Sequence, residues 1–459
     1  MTHQFNKTIL REYDIRGIVG DTLTETDAYA LGRTYAAIAG EEGARRIAVG
    51  RDGRTHSGML QAALIRGLNE GGIDVVQIGM GPSPMLYFAT YYLDVDGGIQ
   101  VTGSHNPADY NGFKLLLKGR SVFGQEIQAI GERAALGKWS DGSGGVEEVD
   151  VREAYVDRLL EGFSGKPYRI GWDAGNGAAG PILDMLVERL PGQHHVIFSE
   201  VDGRFPNHHP DPTVEKNLAD LKQLVLREQL DFGIAFDGDG DRIGAVDGKG
   251  RVIWGDQLLM ILAEAVLKEE PGATIIADVK ASQSLFDRVA ELGGAPLMWK
   301  TGHSLIKSKM KETGAPLAGE MSGHVFFKHR WYGFDDALYA AIRLIEAVSQ
   351  SGRSLTDIMD AMPQTTATPE MRFQVDEARK FAIVDEVRDR LSAAGAKVDA
   401  TDGVRVSTGD GWWLLRASNT QDVLVARAEA KDQAGVERLV AQIDDQLARS
   451  GVQRLESAH

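Results

Sequence analysis

The stretch RIAVGRD at residues 46–52 is an apolar strand pattern that ends in an aspartate and is followed by a small-residue turn. The pattern recurs as YRIGWD at residues 168–173 and as ATIIAD at residues 273–278. Amphipathic helical segments lie between these stretches, for example at residues 58–69 and 218–229. A strand, a turn and a helix repeated along one chain indicate α/β units. We therefore interpret the three stretches as the first strands of three related α/β domains.

The last hundred residues have a different pattern. Residues 404–407, 412–417 and 423–429 are predicted strands, and a predicted helix follows at residues 434–447. Successive strands followed by a helix predict a small α+β domain with an antiparallel sheet. A Gly/Ser-rich acidic stretch at residues 140–145 indicates a linker. The sequence thus predicts four domains, at residues 1–150, 151–251, 252–364 and 365–459.

The composition and net charge of the chain argue against several classes of protein. The 459-residue chain contains no cysteine, which excludes disulfides and thiolate metal ligands. Its formal charge of −16 disfavours nucleic acid and anionic membranes as partners. Residues 1–10 lack the apolar core of a signal peptide, and the longest apolar stretch, residues 258–267, is too short to span a bilayer. We expect a cytoplasmic enzyme, and a phosphate substrate would require cations concentrated at its site.

The stretch DFGIAF at residues 231–236 leads into DGDGDR at residues 237–242. The first is a predicted buried strand, and the glycines after it allow turns that bring Asp237, Asp239 and Asp241 to one point. Three adjacent carboxylates repel one another unless a cation lies between them, which disfavours a solvated acidic turn. Because hard oxygen ligands suit Mg²⁺, the motif predicts a magnesium site.

A phosphatase of the haloacid-dehalogenase type is a competing interpretation of this motif. Such enzymes place an Asp-x-Asp pair after an apolar strand, so Asp237 would be the nucleophile and Asp239 the acid and base. That pair usually lies near the start of its domain and is followed by a hydroxyl residue, whereas Gly240 and Asp241 follow here. The alternative stays open at this point.

The stretch TGSHNP at residues 102–107 is a polar turn that presents a hydroxyl. Pro107 favours an extended conformation before it, and the glycine allows close backbone approach, so Ser104 should be displayed rather than packed. His105 could orient a phosphate on that hydroxyl, and Lys114 supplies a cation. A turn of this composition is more often only a turn. Beside a magnesium site, however, it predicts that Ser104 carries a phosphoryl group.

Two later loops combine polar side chains. GEMSGH at residues 319–324 places a carboxylate, a hydroxyl and an imidazole together, which suits either sugar hydroxyls or a capped helix start. RASNT at residues 416–420 follows a predicted strand and offers a guanidinium with three short donors. That set suits a dianionic phosphate better than an ordinary hairpin turn.

GNGAAG at residues 175–180 is a formal dinucleotide fingerprint, with Glu200 twenty residues beyond it. A nicotinamide-dependent oxidoreductase is therefore a competing function. Against it, Asp173 places a carboxylate where a pyrophosphate would approach, and a tight strand-to-helix turn explains the glycines. The sequence has no Gly-x4-Gly-Lys-Ser/Thr loop, which argues against a kinase.

Five segments in one order resemble the α-D-phosphohexomutase superfamily, and in particular its bacterial phosphomannomutase/phosphoglucomutase branch. They are YDIRG at residues 13–17, the serine motif with NGFK at residues 111–114, the aspartate motif, residues 319–324 and residues 416–420. Met321 favours the mannose/glucose branch over phosphoglucosamine mutases. The resemblance implies four domains around a central cleft, three of them related mixed α/β domains. The fourth would be α+β, of the TATA-binding-protein-like kind.

The resemblance also implies residue roles. Ser104 would be the phosphoserine and would bind Mg²⁺ together with Asp237, Asp239 and Asp241. The catalytic set would further include His105, Lys114, Arg242 and His303, of which Lys114 and His303 are the candidate general bases. Substrate contacts would come from Tyr13, Arg16, Lys280, Glu320, Ser322, His324, Arg416, Ser418, Asn419 and Thr420.

The implied reaction interconverts hexose 1-phosphate and hexose 6-phosphate, of glucose, mannose or both, through a 1,6-bisphosphate. Mg²⁺ would be the cofactor and glucose 1,6-bisphosphate an activator. Phosphoserine carries a charge of about −2, so the three aspartates and Mg²⁺ leave a deficit that Arg242, Lys114 and Lys280 are expected to balance. The expected partners are small hexose phosphates, with the protein a monomer or homodimer. A non-catalytic sugar-phosphate-binding protein is a further alternative.

Overall fold

The computed structural model describes residues 2–419 and 421–454, and the strands within these ranges form four sheets. Each sheet with its helices is one domain, and we number the domains 1 to 4 in chain order. Short 3-10 helices lie at Lys7–Ile9 and Glu215–Leu218. None of the helices in the described ranges has the length and apolar character needed to cross a membrane.

Domain 1 consists of β1 (Ile15–Ile18), α1 (Glu25–Glu41), β2 (Arg46–Arg51), α2 (Ser57–Glu70), β3 (Asp74–Met80), α3 (Ser83–Tyr92), β4 (Gly97–Val101), β5 (Tyr110–Leu117), β6 (Arg120–Ser121), α4 (Gln125–Ala135) and β7 (Val146–Glu148). Its strands form one sheet in the order β1-β5-β4-β2-β3-β7, with β6 beside β5. The predicted helix at residues 58–69 is confirmed as α2. Because β1 precedes β2, the stretch at residues 46–52 forms the second strand of this domain and not the first.

Domain 2 consists of α5 (Arg152–Leu160), β8 (Tyr168–Asp173), α6 (Gly180–Val187), β9 (Gly192–Ile197), α7 (Ala219–Arg227), β10 (Phe232–Phe236), β11 (Ile243–Asp247) and β12 (Val252–Ile253). Domain 3 consists of α8 (Gly255–Glu269), β13 (Thr274–Asp278), α9 (Gln283–Glu291), β14 (Ala295–Trp299), α10 (His303–Thr313), β15 (Leu317–Gly319), β16 (Val325–Phe327), α11 (Ala337–Ser351) and α12 (Leu355–Ala361). Their sheets have the orders β12-β11-β10-β8-β9 and β14-β13-β15-β16. The exact domain boundaries stay predictions.

Domains 1 to 3 share one arrangement of four strands. In each, the strand that ends in the repeated aspartate, β2, β8 or β13, lies between two parallel neighbours. The later of these neighbours, β4, β10 or β15, pairs on its other side with an antiparallel strand, β5, β11 or β16. The predicted relation between the three units is therefore visible in their strand order.

Domain 4 consists of β17 (Thr366–Ala367), β18 (Met371–Gln374), α13 (Lys380–Ala393), β19 (Lys397–Asp399), β20 (Val404–Ser407), β21 (Gly411–Ala417), β22 (Val423–Ala430) and α14 (Gln433–Arg449). Every strand pair in this sheet that the structure describes is antiparallel, as predicted. The helix α13 was not predicted from the sequence. This helix has a narrow apolar face, in which Ile383, Val384 and Val387 are buried.

The apolar core is continuous through three of the domains. One cluster runs from domain 1 through domain 2 into domain 3 and includes Phe88 and Leu338. Domain 4 has a core of its own between its sheet and its two helices. A small apolar cluster of Val279, Trp412 and Leu414 connects domain 4 to domain 3.

Candidate active site

Three loops occupy the same place in the repeated arrangement. The serine loop (residues 102–109) joins β4 to β5, the acid loop (residues 237–242) joins β10 to β11, and the Glu320 loop (residues 320–324) joins β15 to β16. Each connects a parallel neighbour of the central strand to its antiparallel partner. The Glu320 loop is therefore a hairpin turn, and the capped helix start considered for it is wrong.

The serine loop and the acid loop meet. Ser104 Oγ lies 3.3 Å from Asp237 Oδ2 and 3.2 Å from His105 Nδ1. Asp237, Asp239 and Asp241 are fully buried, and one carboxylate oxygen of each lies within 4.8 Å of the others. The structure thus brings together a hydroxyl and three acids that are more than 130 residues apart in the sequence.

The acid loop has the properties of a cation site. Burial and the neighbouring carboxylates of Asp241 and Asp239 raise the pKa of Asp237 well above its usual value. Within the described residues, Asp239 Oδ1 is buried without a hydrogen-bond partner. Leaving a buried acceptor unpaired is costly, and oxygen ligands in this number suit Mg²⁺. The residues present therefore fit a magnesium ion.

Two cationic side chains lie against the acid loop. Lys114 Nζ donates to Asp239 Oδ2 (2.7 Å) and to Asp241. Burial lowers the pKa of Lys114, but the charges of these two aspartates outweigh it, and the net pKa is well above the usual value. His324 Nε2 lies 3.3 Å from Asp241 Oδ1. Although burial lowers the pKa of His324, the charge of Asp241 raises it to about 9, so this imidazole is a second cation at pH 7.

The Glu320 loop is connected to His324 and to the start of α10. Glu320 Oε1 accepts a hydrogen bond from Gly302 N (2.7 Å), and its Oε2 lies 3.1 Å from His324 Nδ1. Ser322 Oγ lies 2.9 Å from the same nitrogen. Arg242, at the end of the acid loop, pairs with His324 in an isolated β-bridge between domains 2 and 3.

His303 lies inside the cleft and not on the open surface. Its ring centroid is 5.7 Å from that of His324 and 5.7 Å from that of Tyr13. Burial and the nearby charge of Lys307 lower the pKa of His303 well below its usual value, so the ring is neutral at pH 7.

Domain 4 reaches the same cleft. Arg416 Nε donates to Asp402 Oδ2 (3.0 Å) at the end of β21. Asn419 Nδ2 donates to the Tyr13 hydroxyl (2.8 Å), which donates in turn to Thr301 O (2.9 Å). Residues of domains 1, 3 and 4 are thus in direct contact. Ser418 Oγ accepts a hydrogen bond from Gln421 N (3.2 Å), while Thr420 lies outside the described residues.

The two remaining basic residues of the predicted set have protein partners. Arg16 Nη1 donates to Gly103 O (2.8 Å) and to Asn106 Oδ1 (2.7 Å), so it supports the serine loop. Lys280 Nζ donates to Glu370 Oε1 (2.8 Å). Lys280 was expected to balance the charge of the acid loop, but it pairs with Glu370. His324 contacts the acid loop instead.

Comparison with known proteins identifies the family of this chain. Models of the phosphoglucomutase/phosphomannomutase α/β/α domains I, II and III match residues 7–139, 153–250 and 254–366, and the model of the C-terminal domain matches residues 370–446. The chain belongs to this family of enzymes. It is 46% identical to the phosphomannomutase/phosphoglucomutase of Pseudomonas aeruginosa, over 96% of this chain and 95% of that protein.

Two further family members show the same similarity. The phosphoglucomutase of Neisseria gonorrhoeae is 46% identical over 94% of this chain and 95% of that protein. A crystal structure of a phosphoglucomutase/phosphomannomutase family protein from Burkholderia thailandensis superposes with a TM-score of 0.92 at 42% identity, covering 98% of both chains. The four-domain fold expected from the resemblance is thereby confirmed.

The glycines at residues 175–180 do not form the nucleotide turn considered for them. Asp173 Oδ1 accepts from Gly175 N (2.9 Å), and Asp173 Oδ2 lies 2.9 Å from His208 Nε2. A Cβ on Gly177 would lie 2.9 Å from the carbonyl oxygen of Gly238. In this family member the glycines therefore allow the turn to pack beneath the acid loop.

Sequence reasoning missed two buried residues beside the site. Ser83 N donates to Asp239 O (2.8 Å), and its hydroxyl donates to the Asp239 carboxylate. Asp335 is fully buried, 3.1 Å from Lys307 Nζ and 3.8 Å from His303 Nδ1. No local pattern marks Ser83. Asp335 has a signal in the sequence, because two aspartates precede the apolar segment of α11. Only one of them, Asp336, caps that helix.

Proposed function

We propose that this family member is a phosphohexomutase that interconverts the 1-phosphate and 6-phosphate of glucose, mannose or both. The observation that carries the proposal is Ser104 Oγ, 3.3 Å from Asp237 Oδ2 in a cluster of three buried aspartates. Similarity to curated phosphomannomutases and phosphoglucomutases over almost the whole chain supports the substrate class.

In the proposed reaction, Ser104 carries the phosphoryl group and Ser104, Asp237, Asp239 and Asp241 hold Mg²⁺. When bound, Mg²⁺ neutralises charge on the transferring phosphate. A hydroxyl oxygen of the sugar forms a bond to phosphorus while the bond from phosphorus to Ser104 Oγ breaks. The hydroxyl proton passes to a base, Ser104 Oγ takes up a proton as it leaves, and the product is a 1,6-bisphosphate. Transfer of its other phosphoryl group back to Ser104 completes the cycle.

His303 is the better-supported base of the two candidates. Its imidazole lies inside the cleft and is neutral, so one ring nitrogen has a lone pair that can accept a proton. Lys114 donates to two carboxylates of the acid loop, which suits a counter-cation. His105 and Arg242 lie beside Ser104 and the acid loop and would contact the transferring phosphate.

The substrate would lie between the three loops and domain 4. Glu320 and Ser322 would bind sugar hydroxyls, with His324 held between them. The phosphate that does not react would be bound by Arg416, Ser418, Asn419 and Thr420. Tyr13, Arg16 and Lys280 would complete the cleft. Because domain 4 has a separate core, we infer that it moves to let the bisphosphate turn round.

A coupled assay tests the proposal. Purified protein is supplied with glucose 1-phosphate or mannose 1-phosphate, Mg²⁺ and a trace of glucose 1,6-bisphosphate, and formation of the 6-phosphate is followed. We expect turnover that stops on adding EDTA. Sugar-phosphate binding without turnover would indicate a non-catalytic binding protein.

Phosphopeptide mass spectrometry separates the two phosphoenzyme chemistries. We expect an acid-stable phosphate on Ser104. A hydroxylamine-labile phosphate on Asp237 would instead support the haloacid-dehalogenase type of mechanism. No thermal shift with a nicotinamide dinucleotide is expected.

A further inference from the structure

Arg54 is a buried charge that the proposed reaction does not use. It lies between β2 and α2, and only 1% of its side chain is exposed. Such a position is unusual for an arginine unless its donors are paired. The pairing partners therefore indicate what the residue does.

The Arg54 guanidinium is surrounded by main-chain carbonyls of the serine loop and its end. Nη2 donates to Ser104 O (2.8 Å) and Asn106 O (2.6 Å). Nη1 donates to Tyr110 O (3.0 Å) and to Pro107 O. A planar fork of donors is the group that can bind four carbonyls at fixed angles, which an ammonium group does poorly.

The glycine of the serine motif makes room for this contact. A Cβ on Gly103 would lie 2.3 Å from Arg54 Nε. Any side chain at Gly103 would therefore displace the guanidinium. Close packing of Arg54 thus explains the glycine at position 103.

Asp52 holds the other side of the loop. Its Oδ2 lies 3.3 Å from Arg54 Nε and accepts from Thr102 Oγ1 (2.9 Å) and Gly103 N (3.0 Å). Thr102 Oγ1 accepts in turn from Ser104 N (2.8 Å). Both main-chain polar groups of Ser104 are therefore fixed, the N–H through Thr102 and the carbonyl by Arg54.

This double attachment matters because Ser104 has an unfavourable backbone conformation. Its φ of 50° lies in the left-handed region, which a residue with a Cβ adopts only when its surroundings enforce it. In that conformation Ser104 Oγ lies against Asp237. Loss of the Arg54 contacts would let the loop relax and would move the hydroxyl away from the acid loop.

Arg54 also contacts the domain that carries the acid loop. Its Cζ lies 5.1 Å from the ring centroid of Phe205 in domain 2. A Cβ on Gly203 would lie 2.4 Å from Arg54 Cα, so the backbones of the two domains are closely packed here. Arg54 thus contacts both the serine loop and domain 2.

We propose that Arg54 is a positioning residue for phosphoryl transfer, acting on Ser104 through the carbonyls of residues 104, 106, 107 and 110. This inference rests on the proposed function. Because Arg54 shapes the loop that carries the reacting group, its loss should reduce kcat and leave KM for the hexose phosphate unchanged. Misplacement of a reacting group by about 1 Å costs about 100-fold in rate.

Arg54→Lys and Arg54→Ala test this, with Arg33→Lys as the matched control. Arg33 is also buried in domain 1 and donates to a main-chain carbonyl, Ser140 O (2.9 Å), on the linker. We expect kcat of both Arg54 variants to fall about 100-fold, with KM within about twofold of wild type. Arg33→Lys should keep its kcat. Added guanidinium ion should restore part of kcat in Arg54→Ala, which a general loss of stability would not allow.

The outcomes distinguish the two proposals. Wild-type protein without mutase turnover would overturn the proposed function and this inference with it. An active wild type together with an Arg54→Lys variant of unchanged kcat, or one in which KM rises in parallel, would overturn only the role of Arg54. If neither Arg54 variant folds, Thr102→Val decides, because it removes the acceptor of Ser104 N. A wild-type kcat in that variant would show that these attachments do not position Ser104.

Discussion

The reacting end and the binding end of the site are built differently. The reacting end, Ser104 and the acid loop, belongs to domains 1 and 2, which share one continuous apolar core. Its two parts are also joined by Ser83 N, which donates to Asp239 O (2.8 Å). The binding end, around Arg416, belongs to domain 4, whose core is separate.

The contact between domains 3 and 4 combines a small apolar cluster with buried polar groups. Arg405 lies over the Trp412 ring (3.6 Å) and donates to Val279 O (2.6 Å) and Ala281 O (2.8 Å). Relative motion of domains within a chain is the default expectation unless the interface between them is large and hydrophobic. If the proposed roles hold, phosphoryl transfer takes place where two domains share a core, and phosphate recognition is placed on the domain with a core of its own. Changes at the reacting end should therefore affect kcat, and changes at the binding end should affect KM.

Ser104→Ala should have the largest effect. Removing the group that is proposed to carry the phosphate should lower kcat by about 10⁴-fold or more, as loss of a nucleophile does in other enzymes. Because domain 4 is unchanged, calorimetry should give a hexose-phosphate affinity close to that of wild type. Ser121→Ala in β6 is the control. Full activity of Ser104→Ala, or a parallel loss of binding, would break the proposed separation of the two ends.

Asp239→Asn should come next. It replaces a charged carboxylate of the acid loop by a neutral amide with one oxygen, and we expect Mg²⁺ affinity to fall by about 100-fold or more. Mg²⁺ at 100 times its Kd should stabilise the wild type by about 2.7 kcal/mol, visible as a rise in Tm, and in the variant the same concentration should give about 0.4 kcal/mol or less. Asp231→Asn, at the opposite end of β10, should keep it. An equal rise in both variants would exclude the acid loop as the metal site.

The sequence contains the local signals of the reacting end. Apolar strands that end in an aspartate predict the central strands, and the glycines of DGDGDR predict the sharp turn of the acid loop. Each signal lies within a few residues, so it can be recognised in the sequence without knowledge of the fold. What could not be predicted is which far-apart side chains meet. The charge of His324 depends on Asp241 in another domain, and the partner of Lys280 is Glu370, 90 residues away.

Domain 4 was harder to predict for a physical reason. Its strands β20, β21 and β22 have dense apolar patterns and were found. The helix α13 was missed, since polar residues recur along its sequence and only one narrow face of it is buried. The hydrogen bonds that place Arg54 under the serine loop go to carbonyls, which carry no sequence signature at all.

Asp402→Asn tests whether Arg416 acts in substrate binding. Asp402 Oδ2 accepts from Arg416 Nε (3.0 Å) and from Thr301 N (3.0 Å), so it orients the guanidinium and attaches it to domain 3. A hydrogen bond to a charged group contributes roughly 1.5 kcal/mol or more, so KM for hexose phosphate should rise about tenfold with kcat little changed. Asp399→Asn, at the exposed end of β19, is the control. A loss of kcat without a change in KM would contradict the assignment of Arg416 to binding.

Glu370→Gln should have the smallest effect. Lys280 lowers the pKa of Glu370 to about 2, from an ordinary value of 4.5. A carboxyl whose pKa is lowered on folding contributes stability that is present above pH 4.5 and is lost as the pH falls toward 2. The side chain is 34% exposed, so solvent screening limits the contribution to less than about 1 kcal/mol.

Urea unfolding at pH 7 and pH 3.5 measures this contribution. Wild type should be slightly more stable than Glu370→Gln at pH 7, and the difference should shrink at pH 3.5, where the unfolded chain is largely protonated at this position. Glu312→Gln, which removes a surface partner of Lys309 on α10, is the control. Since the substitution also releases Lys280 from its protein partner, KM for hexose phosphate should fall about twofold, in line with a weak, screened pair. A difference in stability that stays constant between the two pH values would show that the Lys280–Glu370 pair is not formed in solution, and the binding end would then lack this link to domain 3.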